Sequence, residues 1–153
     1  MKRTRSHRVR RSERTLNDLL GMPDQSILRS GLRRELEDAR TKPLGELTPG
    51  ELHLLLRGGV APQILLPFAA AALKLDPWRV VGYESGGLLA AIVEVDPGHW
   101  PPGEPWRAQL GRLLERALAS VDTLYDFERN KGLESRITAL LARVRSSVPS
   151  GAA

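Results

Sequence analysis

The sequence predicts an all-α fold, a single domain of six or seven helices joined by Pro/Gly turns. Three observations lead there. Apolar residues recur at i, i+3, i+4 and i+7 over much of the chain, the spacing that lines one face of a helix. Helix-start and helix-stop signatures punctuate it, with Thr48-Pro49-Gly50-Glu51 and Ala61-Pro62 as starts and Gly58-Gly59 and Asp76-Pro77 as stops. A length of 153 residues is near the commonest domain size and can bury a real core.

The elements follow in order. Residues 1–14 hold seven Lys/Arg and one Glu with almost no apolar side chain, and read as a disordered basic tail. Thr15 caps a short helix, Leu16-Asn17-Asp18-Leu19-Leu20, which Gly21 and Pro23 close. Leu28, Leu32 and Leu36 give a surface helix of about 12 residues at i, i+4 spacing, broken at Lys42-Pro43-Leu44. Thr48 is the N-cap of the next helix, with Pro49 at its first position and Glu51 completing a capping box; Leu52, Leu55 and Leu56 form its apolar face. A largely apolar helix runs from Ala61-Pro62 to Leu75, with a kink or break expected at Pro67. Residues 76–106 are turn-rich. Within them, Ser85 can cap a short helix over Leu88 to Val95, although the β-branched Ile92-Val93-Val95 also permits a strand.

From Glu104, with Pro105 near its start, a long helix carries the stripe Leu110, Leu113, Leu114, Ala117, Leu118, Val121, Leu124 and Tyr125, and Asn130-Lys131-Gly132 ends it. The last helix presents Leu133, Ile137, Leu140, Leu141 and Val144 and stops near Val148-Pro149. The domain is therefore expected over residues 15–148, with residues 149–153 a disordered C-terminus.

Composition excludes several chemistries. With no cysteine there are no disulfides, no Cys-ligated zinc and no thiol nucleophile. Three scattered histidines, His7, His53 and His99, argue against a His-based metal site. No apolar run is long enough to span a membrane and no secretory signal opens the chain, so the cytoplasm is the expected compartment. The net charge of +5 suggests an anionic partner, but it belongs to the tail: residues 1–14 carry +6 and the remainder carries −1. The tail lacks interleaved aromatics, and the body lacks a helix-turn-helix pattern. Direct nucleic-acid binding is expected only as nonspecific tail contacts.

Catalytic motifs are equally sparse. Gly58-Gly59 and Gly86-Gly87 lack the Lys-Ser/Thr of a phosphate loop. A Ser85–His99–Asp96 triad can be written down without a nucleophile elbow to support it. Asp122 and Asp126, spaced i, i+4, read as a solvated helix face. His53, between Leu52 and Leu54, reads as a boundary residue. No cofactor and no enzymatic activity are expected.

Residues 42–100 resemble the immunity proteins of bacterial contact-dependent growth inhibition systems. The resemblance is carried by Lys42-Pro43-Leu44, Glu46-Leu47-Thr48, Glu51-Leu52, Leu65-Leu66-Pro67-Phe68-Ala69, Leu75-Asp76-Pro77, Tyr83-Glu84-Ser85-Gly86-Gly87-Leu88-Leu89 and His99-Trp100. Upstream, Thr15-Leu16-Asn17-Asp18-Leu19-Leu20-Gly21 is similar to the usual opening of these proteins, so residues 1–14 are expected to be dispensable or an effect of start-codon choice. The chain departs from the pattern where Gly58 or Gly59 replaces a glutamine and Gly87 replaces an aspartate.

The resemblance implies a small cytoplasmic helical protein that binds and blocks the C-terminal toxin domain of a polymorphic effector, a toxin expected to be a nuclease. A nuclease exposes cations to hold phosphates, so acids and aromatic anchors suit its antidote. The candidate contact residues are Asp76, Trp78, Tyr83, Glu84, Glu94, Asp96, His99, Trp100 and Glu104. The competing class is a nucleic-acid-associated regulator acting through the basic tail.

Overall fold

The computed structural model describes residues 13–20, 30–81, 84–125 and 129–146. They fold as a single all-α domain of seven helices with one minimal hairpin. The helices are α1 (Leu16–Leu20), α2 (Ser30–Thr41), α3 (Pro49–Arg57), α4 (Pro62–Ala72), α5 (Gly87–Val93), α6 (Glu104–Ser120) and α7 (Lys131–Ser146). The hairpin pairs β1 (Val80–Val81) antiparallel with β2 (Glu84–Ser85), Val80 opposite Ser85 and Val81 opposite Glu84. The expected tail and C-terminus, residues 1–12 and 147–153, and the turn signals Gly21 and Pro23 lie outside the described residues.

Local chemistry sets most helix ends. In α1 the Asp18 N–H donates to Thr15 Oγ1 at 3.1 Å and the Thr15 N–H to Asp18 Oδ2 at 2.9 Å, a reciprocal cap that satisfies two otherwise orphaned donors. Hydrogen bonds from the Thr15 N–H and the Thr15 hydroxyl hold the Asp18 carboxyl below its ordinary pKa. Thr48 and Glu51 make the same exchange at the start of α3, both bonds at 3.1 Å. Lys42 Nζ adds an ion pair to Glu51 Oε2 at 3.0 Å. At the other end of α3 the Gly59 N–H reaches Leu56 O and the Val60 N–H reaches Leu55 O, both at 3.0 Å. That is a Schellman closure, and it requires the positive φ of +72° that Gly59 supplies.

One expectation about α4 is narrowed and another corrected. Of the kink or break expected at Pro67, the break is absent, and the helix continues through it. The carbonyl that Pro67 leaves without its usual N–H partner belongs to Gln63, an exposed residue, so water can satisfy it. Helix α4 also stops at Ala72, not Leu75, and Leu75 is 97 % exposed. Its entry is unusual, because Ala61 adopts φ +41° with no side-chain cap.

Of the ambiguous residues 88–95, α5 makes 88–93 helix despite the β-branched Ile92 and Val93, and it stops short of Val95. Gly87, Leu88, Leu89, Ala91 and Ile92 are all buried, and α5 packs against α3, α4 and α7. Burial on several sides outweighs a strand propensity worth at most about 1 kcal/mol. Ser85 is not the cap: Gly86 occupies that place with φ +74°, and Ser85 Oγ donates to Trp78 O at 2.9 Å. A Cβ on Gly86 would lie 2.8 Å from Trp78 Cε3, and one on Gly87 would lie 2.9 Å from the Val81 carbonyl oxygen. The departure of Gly87 from an aspartate therefore coincides with a position too tight for a side chain.

Helix α6 is shorter than expected. It ends at Ser120 in a 3₁₀ turn over Val121–Thr123, and Tyr125 is 69 % exposed and lies beyond both. Side chains meet the last carbonyls: Trp78 Nε1 donates to Ala117 O at 2.8 Å and Thr123 Oγ1 to Ser120 O at 2.6 Å. Hydroxyls bonded back to the main chain compete with helix continuation. Asn130 has the opposite role to the one its sequence suggests. It does not end α6; its Oδ1 accepts from the Leu133 N–H at 3.0 Å, so it caps the start of α7.

The core joins all of these pieces. Leu16, Leu44, Leu52, Leu55, Leu65, Leu66, Leu73, Leu88, Leu89, Ile92, Leu110 and Leu114 are fully buried. No polar or charged residue is buried among the described residues. None of the described helices is long and apolar enough to cross a membrane.

Candidate binding site

Helix α5 delivers the chain to the surface at Glu94. The following Asp-Pro-Gly then turns tightly: Asp96 Oδ1 accepts from the Gly98 N–H at 2.9 Å, and Asp96 O from the His99 N–H at 2.8 Å. Aspartate before Pro-Gly is suited to this turn, because its carboxylate satisfies the backbone locally while proline fixes φ. The second carboxylate oxygen of Asp96 stays available. His99 is exposed at the end of the turn, and Trp100 packs half-buried against the core.

The last turn of α3 and the entry to α4 stand across from this ridge. Between the two lies an open cavity of about 440 Å³ lined by Leu56, Arg57, Gly59, Pro62, Ala91, Glu94, Val95, Asp96 and His99. Its floor is apolar and its rim carries charge. Glu94 sits between two guanidiniums, Arg57 Nη1 at 3.4 Å from Oε2 and Arg136 Nη1 at 3.5 Å from Oε1. All three side chains are about half exposed, so each pair contributes roughly 0.2–1 kcal/mol at most. Their larger effect is on charge: the two arginines balance Glu94 and Asp96 together, and of these two acids Asp96 is the one with no ion pair to another described residue.

The candidate contact residues separate here. Glu94, Asp96 and His99 converge on the cavity, with Trp100 next in the chain. Trp78 does not join them; it is 3 % exposed, a core side chain bonded to Ala117. Asp76 holds the turn after α4, its Oδ1 accepting from the Trp78 N–H at 3.1 Å. Glu104 lies in the first turn of α6. Glu84 pairs through its backbone with Val81, and Tyr83 lies outside the described residues.

The Ser85–His99–Asp96 constellation does not assemble. Ser85 is not part of the cavity that holds Asp96 and His99, and its hydroxyl is committed to Trp78 O. Asp122 sits in the 3₁₀ turn, 3.6 Å from Arg129 Nη1, and Asp126 lies outside the described residues. No cluster of three or more His, Asp or Glu side chains able to hold a metal occurs among the described residues. Arg57 and Arg136 are the rim residues that the sequence did not single out. The only hint was position: Arg57 ends a capped helix, and Arg136 lies on the polar face of α7.

No family model and no curated protein matches this chain.

Proposed function

We propose that this protein is a non-catalytic cytoplasmic immunity protein that binds and neutralises the C-terminal toxin domain of a contact-dependent growth inhibition or related polymorphic effector. The resemblance over residues 42–100 supplies the class. The observation that carries the location is the convergence of Glu94, Asp96 and His99 on one cavity between α3, α4 and α5. A cavity of about 440 Å³ with an apolar floor accepts an inserted side chain. The free oxygen of Asp96 suits a Lys or Arg head, with His99 and Trp100 flanking it as polar and aromatic contacts. A cationic toxin surface, as on a nuclease, supplies such heads.

The test is co-expression with the toxin domain encoded beside this gene, scoring growth and co-purification. The proposal expects growth to be rescued and the two proteins to purify together. Absence of both refutes it.

A further inference from the structure

Helix α4 and its C-terminal exit lie against α6. Gln109 Nε2 donates to Pro67 O at 3.0 Å, and the Arg116 guanidinium donates to Lys74 O just past the end of α4. Between them lies a second open cavity of about 370 Å³. Its floor is Ala70, Ala71 and Leu113, and its charged side chains are Lys74, Arg112 and Arg116, with no acid among the lining residues. It shares no residue with the cavity of Glu94.

This charge is out of proportion to its surroundings, since residues 15–153 are slightly acidic. The nearest acid on the same helix, Glu115, is engaged by Arg145 of α7 at 2.7 Å. Arg112 and Arg116, spaced i, i+4, repel each other. Lys74 and Arg116 have a local role, because they stand at the C-terminal end of α4 where cations offset the helix dipole. Arg112 lies a turn earlier along α6 and has no such role. Gln109, fixed through its amide nitrogen, leaves a carbonyl oxygen as a neutral acceptor in the groove.

We propose that the α4/α6 groove binds a phosphate group carried on a compact organic body. Guanidiniums from successive turns of α6 match phosphate oxygens in paired geometry, and Lys74 adds a point charge from the facing helix. The Ala/Leu floor receives the apolar part of the ligand. This inference stands independently of toxin binding.

The experiment follows backbone amide shifts of the full chain during titration with pyrophosphate, with AMP, and with a short oligonucleotide bearing or lacking a 5′-phosphate, all at low salt. The expected result is saturable shifts confined to residues 70–74 and 109–116. Arg112→Gln and Lys74→Gln each weaken binding about tenfold, while Arg143→Gln on α7 leaves it unchanged. AMP binding identifies a free nucleotide-like ligand, and a requirement for the 5′-phosphate on the oligonucleotide identifies a strand end; both support the site. Three results overturn it: no saturable binding of any probe, equal saturable binding of the two oligonucleotides, or equal weakening by Arg143→Gln. All three substitutions are at exposed positions, and an unchanged amide spectrum of each free variant verifies its fold.

Discussion

Replacing Gly86 with alanine tests how α5, and with it Glu94 and Asp96, is held in place. Two costs combine there. The backbone has φ +74°, which costs a residue bearing a Cβ about 1–2 kcal/mol. The new methyl would also stand 2.8 Å from Trp78 Cε3, and Trp78 is fixed by its bond to Ala117, so overpacking adds about 1–3 kcal/mol. Alanine recovers about 0.4–1 kcal/mol by restricting the unfolded chain. The net loss is about 1–5 kcal/mol, a large share of a domain stability of about 5–15 kcal/mol. Gly59→Ala is the matched control, because φ is +72° but no atom lies within 4 Å of the new methyl. It should cost about 0.5–1 kcal/mol. Urea unfolding followed by helical circular dichroism measures both. The Trp78 clash is the main difference between them, so an equal loss in the two variants refutes the packing argument.

Other consequences are open to the same assays. Thr48→Ala removes half of the α3 capping box and should destabilise by about 1 kcal/mol in urea unfolding. At Glu51, partial burial pushes the carboxyl pKa up, but hydrogen bonds from Lys42, the Thr48 N–H and the Thr48 hydroxyl outweigh it and hold the net value below 4.5. A depressed folded pKa means that Glu51 stabilises the fold above pH 4.5 and loses that contribution as pH falls through the folded value. The Glu51→Gln variant should therefore show a shallower loss of stability than the wild type in that range. Changing Arg57 and Arg136 together to glutamine should alter stability by at most about 2 kcal/mol, since both pairs are exposed. It should speed association with a cationic toxin domain at low salt, because Glu94 is no longer offset; stopped-flow rates decide this. Ala61→Gly should be neutral or stabilising by up to about 1 kcal/mol, because it relieves the left-handed strain at φ +41°.

What could be read from the sequence was chemistry confined to a few adjacent residues. Thr15, the Thr48–Glu51 box and the Gly58-Gly59 stop need only near neighbours, and each behaves as its sequence suggests. The helical stripes were legible for the same reason, because periodicity is a local property of the chain. Errors arose where distant partners decide the outcome. Leu124 and Tyr125 fit the α6 stripe, yet α6 ends before them, where hydroxyls return to the backbone and the Trp78 indole arrives from 39 residues away. Asn130 can close one helix or open the next, and only the Leu133 N–H decides between them. At the cavity, Glu94, Asp96 and His99 are close in sequence and could be named together. Arg57 could not, because it reaches Glu94 across 37 residues. Trp78 and Trp100 looked alike as aromatic anchors, but a core bond claims the first and leaves the second at the surface ridge.

The proposed grip on a toxin domain runs through the ridge of Glu94, Asp96 and His99. Calorimetric titration of the purified protein with the toxin domain encoded beside its gene tests it most directly, with Asp96→Lys measured alongside. The account predicts one-to-one binding that Asp96→Lys weakens by at least about tenfold while leaving the helical content unchanged. Tight binding that is indifferent to Asp96→Lys would place the interface elsewhere, and no binding at all would contradict the account.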